Sequence, residues 1–378
     1  MGKIGLYIHI PFCEKKCHYC DFTSVKGDNR LINNYVDALI KEIHLYSSYS
    51  KDYIVDTIFI GGGTPSAIKG DHIKSIMSNI FNIFQIHEDC EISIEVNPGT
   101  MDNEKMNLYK EAGINRVSLG IQSMNDGLLR LLGRIHKRDD VVETVRIIKS
   151  VGISNINGDI MFGLPYQSVD EFLNTLREVI DLNLSHISMY GLIIEEGTLM
   201  NHWYKRGLIS IPNEDDERSM YHKGIKYMKD YGFYQYEISN FAKENLECKH
   251  NIGYWKLKPY IGFGISAHSN IHGRRYWNHS VFKDYFKSID GNELPISDGE
   301  EIDEKTKIAE YLILGLRMNN GVMKDEFFDI FGFKVDELFH SQIEKNTKLG
   351  LLVNLEDRIH LTERGRDISN QVEIDFLP

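Results

Sequence analysis

Three cysteines near the amino terminus, Cys13, Cys17 and Cys20, follow an apolar run with three and then two residues between them. Thiolates are soft ligands for iron-sulfur clusters and for zinc, and bacterial clusters are often held by cysteines at such short spacings. A four-iron cube held by only three protein sulfurs keeps one iron open for a small molecule. Structural zinc would need a fourth ligand, for which His9, His18 or Asp21 is near in sequence. On spacing alone, a cluster, a zinc site and plain buried thiols all stay open.

Other stretches carry weaker signals. Gly61-Gly62-Gly63-Thr64-Pro65 lacks bulk and offers free backbone groups to a ligand, although a tight turn explains a glycine run equally well. Glu95 closes an apolar run, where a lone carboxylate is usually solvated. In Cys248-Lys-His-Asn-Ile-Gly-Tyr-Trp255, His250 could ligate haem iron, Asn251 could orient its ring, and Tyr254 and Trp255 could stack on a flat macrocycle. A loop whose aromatics fill a core is the plainer alternative. Cys248 is read as an inert thiol ahead of a second iron ligand or attachment point, and Cys90 as structural.

Elements able to position these residues recur in a regular rhythm. Apolar runs at 4–10, 55–60, 91–96, 116–121, 156–162 and 186–192 read as strands. Between them, 32–46, 72–84, 103–112, 140–151 and 169–182 place apolar residues three and four apart, the helical period. Six such units predict an α/β protein with a parallel sheet covered on both faces, and leave a curled partial barrel and a doubly wound sheet as alternatives. The alternation stops after Leu192. Residues 233–238 read as an edge strand and 260–269 as a glycine-rich strand; helices are predicted over 305–316 and 336–347, then a hairpin from 351–354 and 358–362.

The 378 residues, 42% of them hydrophobic, suffice for a large core and two or three domains. A net charge of −12 and a pI near 5.7 argue against nucleic-acid binding. Five cysteines in a chain of this length are no disulfide framework, and together with the absence of a signal peptide or a long apolar run they predict a cytoplasmic protein without a membrane span. Peripheral membrane contact and a homodimer stay open.

Cys-x3-Cys-x-Tyr-Cys after a first strand resembles the signature of the radical S-adenosylmethionine (SAM) superfamily. The string Tyr7-Ile-His-Ile-Pro-Phe-Cys13 is similar to that of the oxygen-independent coproporphyrinogen III oxidase family. The resemblance implies a 4Fe-4S cluster on Cys13, Cys17 and Cys20 whose free iron chelates SAM, a partial (β/α)6 barrel over 1–232, a family-specific extension over 233–300 and a winged-helix-like domain over 301–378. It further implies SAM contacts from Tyr7, Tyr19, Gly62, Gly63, Thr64 and Glu95. Gln122, Arg134 and Asp159 follow in register, for polar contact, carboxylate pairing and ribose binding.

His-Asn-x-x-Tyr-Trp resembles the signature that separates haem chaperones from the true oxidases of this family. The oxidases carry a further cysteine after the triad where Phe22 stands here, Phe in place of Tyr19, and an amino-terminal extension. The resemblance therefore implies a protein that binds haem or porphyrin and passes haem to acceptors of the respiratory chain. Oxidative decarboxylation of coproporphyrinogen is the alternative, so whether the chain is an enzyme is left undecided.

Overall fold

The computed structural model describes all 378 residues. Six parallel strands form its centre: β1 (Gly2–Ile10), β2 (Tyr53–Gly62), β3 (Gln85–Val96), β4 (Arg116–Gln122), β5 (Asn155–Phe162) and β6 (His186–Gly191). They lie side by side in chain order. A doubly wound sheet reverses its strand order at a switch point. No reversal occurs here, so the units advance one way round an arc.

The arc does not close. Beyond β6 the sheet continues antiparallel with β8 (Asn240–Ala242) and β7 (Tyr234–Gln235). On the other side β1 pairs in parallel with β9 (Tyr260–Phe263), followed by antiparallel β10 (His268–Ile271), β11 (Arg274–Asn278) and β12 (Ile296–Glu301). The result is a partial barrel, extended at both edges into twelve strands.

Helices α1 (Asn29–Leu45), α2 (Gly70–Ile83), α3 (Asn103–Glu111), α4 (Arg138–Ser150) and α5 (Val169–Asp181) return the chain between strands. Their starts are set locally: the side chains of Asp28, Asp102 and Ser168 accept N–H bonds from the first turns of α1, α3 and α5. The helices pack on outward-facing Ile4, Leu6, Ile58, Ile94, Val117, Ile156 and Ile187, all nearly or wholly buried. Because side chains alternate across a strand, the positions between these point into the arc. There the sequence is polar: Thr57, Ser93, Glu95, Arg116, Ser118, Asn157, Asp159 and Ser188.

Three expected elements differ in detail. The edge strand over 233–238 shortens to β7, because Glu237 turns inward to full burial beside Arg317. The strand expected over 260–269 breaks into β9 and β10 at Gly264, whose positive φ and lack of a Cβ let the backbone pass the Tyr35 hydroxyl and His9 carbonyl. The helix expected over 336–347 divides at Phe339, which packs on Phe376.

Helix α6 (Glu214–Asp230) covers β5 and α5, and a short helix α7 (Lys249–Trp255) lies against β2. After α8 (Glu304–Leu316), a separate core runs from Tyr311 to Phe376 beneath a three-stranded sheet of β13 (Val322–Met323), β15 (Arg358–Leu361) and β14 (Leu352–Asn354). No helix is long and apolar enough to cross a membrane.

Candidate functional site

The arc encloses a cavity of about 480 Å³. Cys13, Cys17 and Cys20 stand on the loop after β1, which is closed where Cys13 N–H and Val25 N–H donate to Val25 and Pro11 carbonyls at 3.0 and 2.8 Å. Thr64 Oγ1 lies 3.3 Å from Cys13 Sγ, and Arg134 Nη1 reaches Cys17 Sγ at 3.6 Å. Burial pushes the Cys20 thiol up, and the Cys17 and Cys13 sulfurs add to the shift.

The side chains around the sulfurs bear on the metal readings. No three His, Cys, Asp or Glu side chains converge closely enough to hold a single ion. Both nitrogens of His9 are engaged, with Tyr7 Oη at 3.0 Å and the Thr23 carbonyl at 3.1 Å, and His18 Nδ1 is bonded to the Leu131 carbonyl at 2.9 Å. Three sulfurs around a cavity mouth, two of them beside a hydroxyl or guanidinium donor, fit a cluster whose irons sit at separate corners.

Glycines bring backbone to this mouth. A Cβ on Gly63 would come within 2.9 Å of the Phe12 carbonyl and 3.1 Å of Cys13 Sγ. Gly62, at φ 114, would strike His9 with one, and its N–H donates to Glu95 Oε2 at 3.2 Å. Thr64 Oγ1 also accepts from Asn97 Nδ2 at 2.9 Å, while Asn97 Oδ1 accepts from Arg134 Nη2 at 2.8 Å. Thr64, Asn97 and Arg134 thus link the sulfurs to β2, β3 and β4 in one network.

Deeper in, Asp159 accepts from Asn157 Nδ2 at 2.7 Å and from Ser118 Oγ at 3.0 Å. Burial pushes Glu95 up to about 8, helped by nearby Asp159. Asp159 is raised by burial too, while Asn157, Ser118 and Ser188 hold it down. Burial also lifts Tyr7 and Tyr19 above the ordinary phenol range. Gln122 adopts φ 64 at a shift in the β4–β5 pairing, a left-handed residue where the strand ends at the cavity.

Helix α7 seats the second constellation against the inner face. Glu91 accepts from Lys249 N–H at 3.0 Å and His250 N–H at 3.1 Å, pinning the start of the helix. His250 is 3% exposed, stacks on Phe59, and holds Thr57 Oγ1 and Tyr254 Oη each 2.9 Å from its two ring nitrogens. Burial, with some help from Arg116, pushes its pKa down to about 3, so the ring is neutral at physiological pH. Cys248 is fully buried and its thiol is pushed up to about 12, chiefly by burial.

The cavity collects Cys13, Cys17, Cys20, Tyr7, Tyr19, Gly62, Gly63, Thr64, Glu95, Gln122, Arg134, Asp159, His250, Asn251 and Tyr254. Trp255 does not border it and lies instead under the Arg317 guanidinium, 4.5 Å from ring centroid to carbon, facing the carboxyl-terminal core. Sequence reasoning missed Arg116, Asn97, Asn157, Ser118 and Tyr190, which also line the wall. Their signal was polarity at every second position of otherwise apolar strands.

Residues 7–179 match the Radical SAM superfamily and residues 302–368 the HemN C-terminal domain. The heme chaperone HemW of Bacillus subtilis is 37% identical over 98% of both chains, and that of Escherichia coli 32% identical over 100% of this chain and 99% of its own. Among solved structures, the coproporphyrinogen III oxidase HemN of Escherichia coli superposes with a TM-score of 0.86 at 23% identity, over 99% of this chain and 90% of that one. The chain belongs to the radical SAM superfamily and, within it, to the heme chaperone HemW family.

Proposed function

We propose that this protein is a cytoplasmic haem chaperone that carries a 4Fe-4S cluster and SAM, binds haem at His250 and hands it to haem-acceptor proteins of the respiratory chain. The observation behind this reading is that His250, Asn251 and Tyr254 share one cavity with the three cysteines. Membership of the radical SAM superfamily implies the cluster and SAM. When bound, the cluster would supply a low-potential electron and a coordination site for SAM.

On this reading Cys13, Cys17 and Cys20 hold the cluster. Thr64 and Arg134 donate to two of the sulfurs and stabilise the charge that a reduced cluster carries. Glu95, Gln122 and the backbone at Gly62 and Gly63 would hold the SAM amino acid, Tyr7 and Tyr19 would wall it in, and Asp159 would accept from a ribose hydroxyl. Glu95 would shed its proton when an ammonium arrives, because a neighbouring cation favours the carboxylate.

At the other constellation, His250 presents a neutral ring. With Nδ1–H donating to Thr57, Nε2 would keep its lone pair for iron, and the Tyr254 hydroxyl would cap that pair in the haem-free protein. Asn251 lies beside the ring on the wall. Trp255 stays with Arg317 and couples α7 to the 301–378 module, which we assign to docking the acceptor. The divisions at 232 and 300 stand in the same proposal, with homodimer formation and peripheral membrane contact as further parts of it.

The test compares two activities of one anaerobic preparation. With SAM, dithionite and coproporphyrinogen III it should form no protoporphyrinogen, and it should bind haem saturably and release it to an apo acceptor. Turnover of coproporphyrinogen without haem transfer would reverse the assignment in favour of the oxidase.

A further inference from the structure

Arg116 opens β4, is 2% exposed and borders the cavity. Its Nε is buried without any hydrogen-bond partner. The nearby acids act on it only through space and are committed elsewhere: Glu91 to the first N–H groups of α7, Asp159 to Asn157 and Ser118. A buried guanidinium without a bonded anion is costly, and such a group in a cavity wall calls for a ligand that completes it.

The planar fork of donors matches a carboxylate. Depth separates this guanidinium from the one already assigned. Arg134 sits at the cavity mouth beside Cys17, whereas Arg116 begins the strand that Gly120 and Gln122 finish. Arg116 therefore belongs to the same deep part of the cavity as His250, whose ring its charge reaches.

We infer that Arg116 is the carboxylate-binding group at the cavity floor and pairs with a propionate of the tetrapyrrole. This rests on the haem reading above. An imidazole for the metal and a guanidinium for an acidic side chain, set in one wall, read two separate features of one macrocycle. SAM, the other carboxylate source, meets Arg134 and the cluster at the mouth.

The experiment titrates full-length, cluster-reconstituted protein with haem and with haem dimethyl ester, using wild type, Arg116→Gln and Arg116→Lys. In wild type the ester should bind at least about tenfold more weakly, the loss expected for a charge-assisted hydrogen bond. Arg116→Gln should bind haem weakly by a similar factor and show no further loss with the ester, and Arg116→Lys should recover part of the difference. An ester penalty as large in Arg116→Gln as in wild type, or equal affinities in wild type, overturns the inference while leaving haem binding intact. Should Arg116→Gln fail to fold, Arg116→Met makes the same comparison, since only an ester penalty that disappears with the guanidinium assigns the propionate to Arg116. A SAM titration is the second arm: weaker SAM binding with unchanged haem binding in Arg116→Gln assigns the carboxylate to SAM and overturns the inference. Failure of wild type to bind haem at all sinks the parent reading instead.

Discussion

Thr57→Val tests how His250 is prepared for iron. Thr57 is 5% exposed on β2, its Oγ1 lies 2.9 Å from His250 Nδ1, and it does not border the main cavity. Valine keeps the shape and removes the hydroxyl, leaving a buried Nδ1–H without an acceptor at a cost of about 1–3 kcal/mol. Losing the group that orients a metal-bound imidazole typically costs about 10–100-fold in affinity. Thr57→Val should therefore stay folded, bind haem about 10–100-fold more weakly, and shift the haem absorption band. The assay is an absorbance titration at pH 7, with circular dichroism as the check on folding. Since His250 titrates near 3, the affinity difference should hold unchanged between pH 6 and 8. A folded Thr57→Val protein with wild-type affinity and spectrum would refute the account of the ring.

Three further outcomes are expected. Gly63→Ala should fold but lose iron and sulfide on anaerobic analysis, because its Cβ would crowd Phe12 and Cys13 Sγ; full cluster occupancy would contradict the cradle. Glu95, at about 8, lies above its ordinary 4.5, so the folded ligand-free protein keeps a proton that the unfolded chain has released. Its contribution to stability is full below pH 4.5 and is lost as pH rises to about 8, by up to about 1.4 kcal/mol per pH unit, and Glu95→Gln should flatten that slope in urea titrations. Arg317→Ala leaves the buried Glu237 carboxylate without its cation and uncovers Trp255, and should destabilise the fold by about 3 kcal/mol in the same assay.

Much of the site was legible because strand ends carry the chemistry in a parallel barrel. Glu95 and Gln122 sit at or near the ends of apolar runs and Asp159 interrupts the middle of one, and the runs themselves marked β3, β4 and β5. Whether the sheet curls into a partial barrel or lies doubly wound was not legible from spacing, since equal spacing of strands and helices fits either strand order. Arg116 and Asn157 stayed hidden because an apolar run was read as a unit, while the alternation inside it tells which residues face inward. Helix α7 was hidden for another reason. Its place depends on Glu91, 158 positions before the Lys249 amide that it caps, and no local pattern announces such a contact. The aromatic pair of the signature looked alike in sequence, yet Tyr254 faces the cavity and Trp255 faces Arg317.

On the proposed reading, haem is held by the neutral imidazole of His250 in the cavity bearing the three cysteines. Haem titration of cluster-loaded wild type against His250→Ala, followed by absorbance, tests it most directly. Loss of the histidine-ligated spectrum and a fall in affinity of at least about tenfold are predicted. Identical spectra and affinities would contradict it.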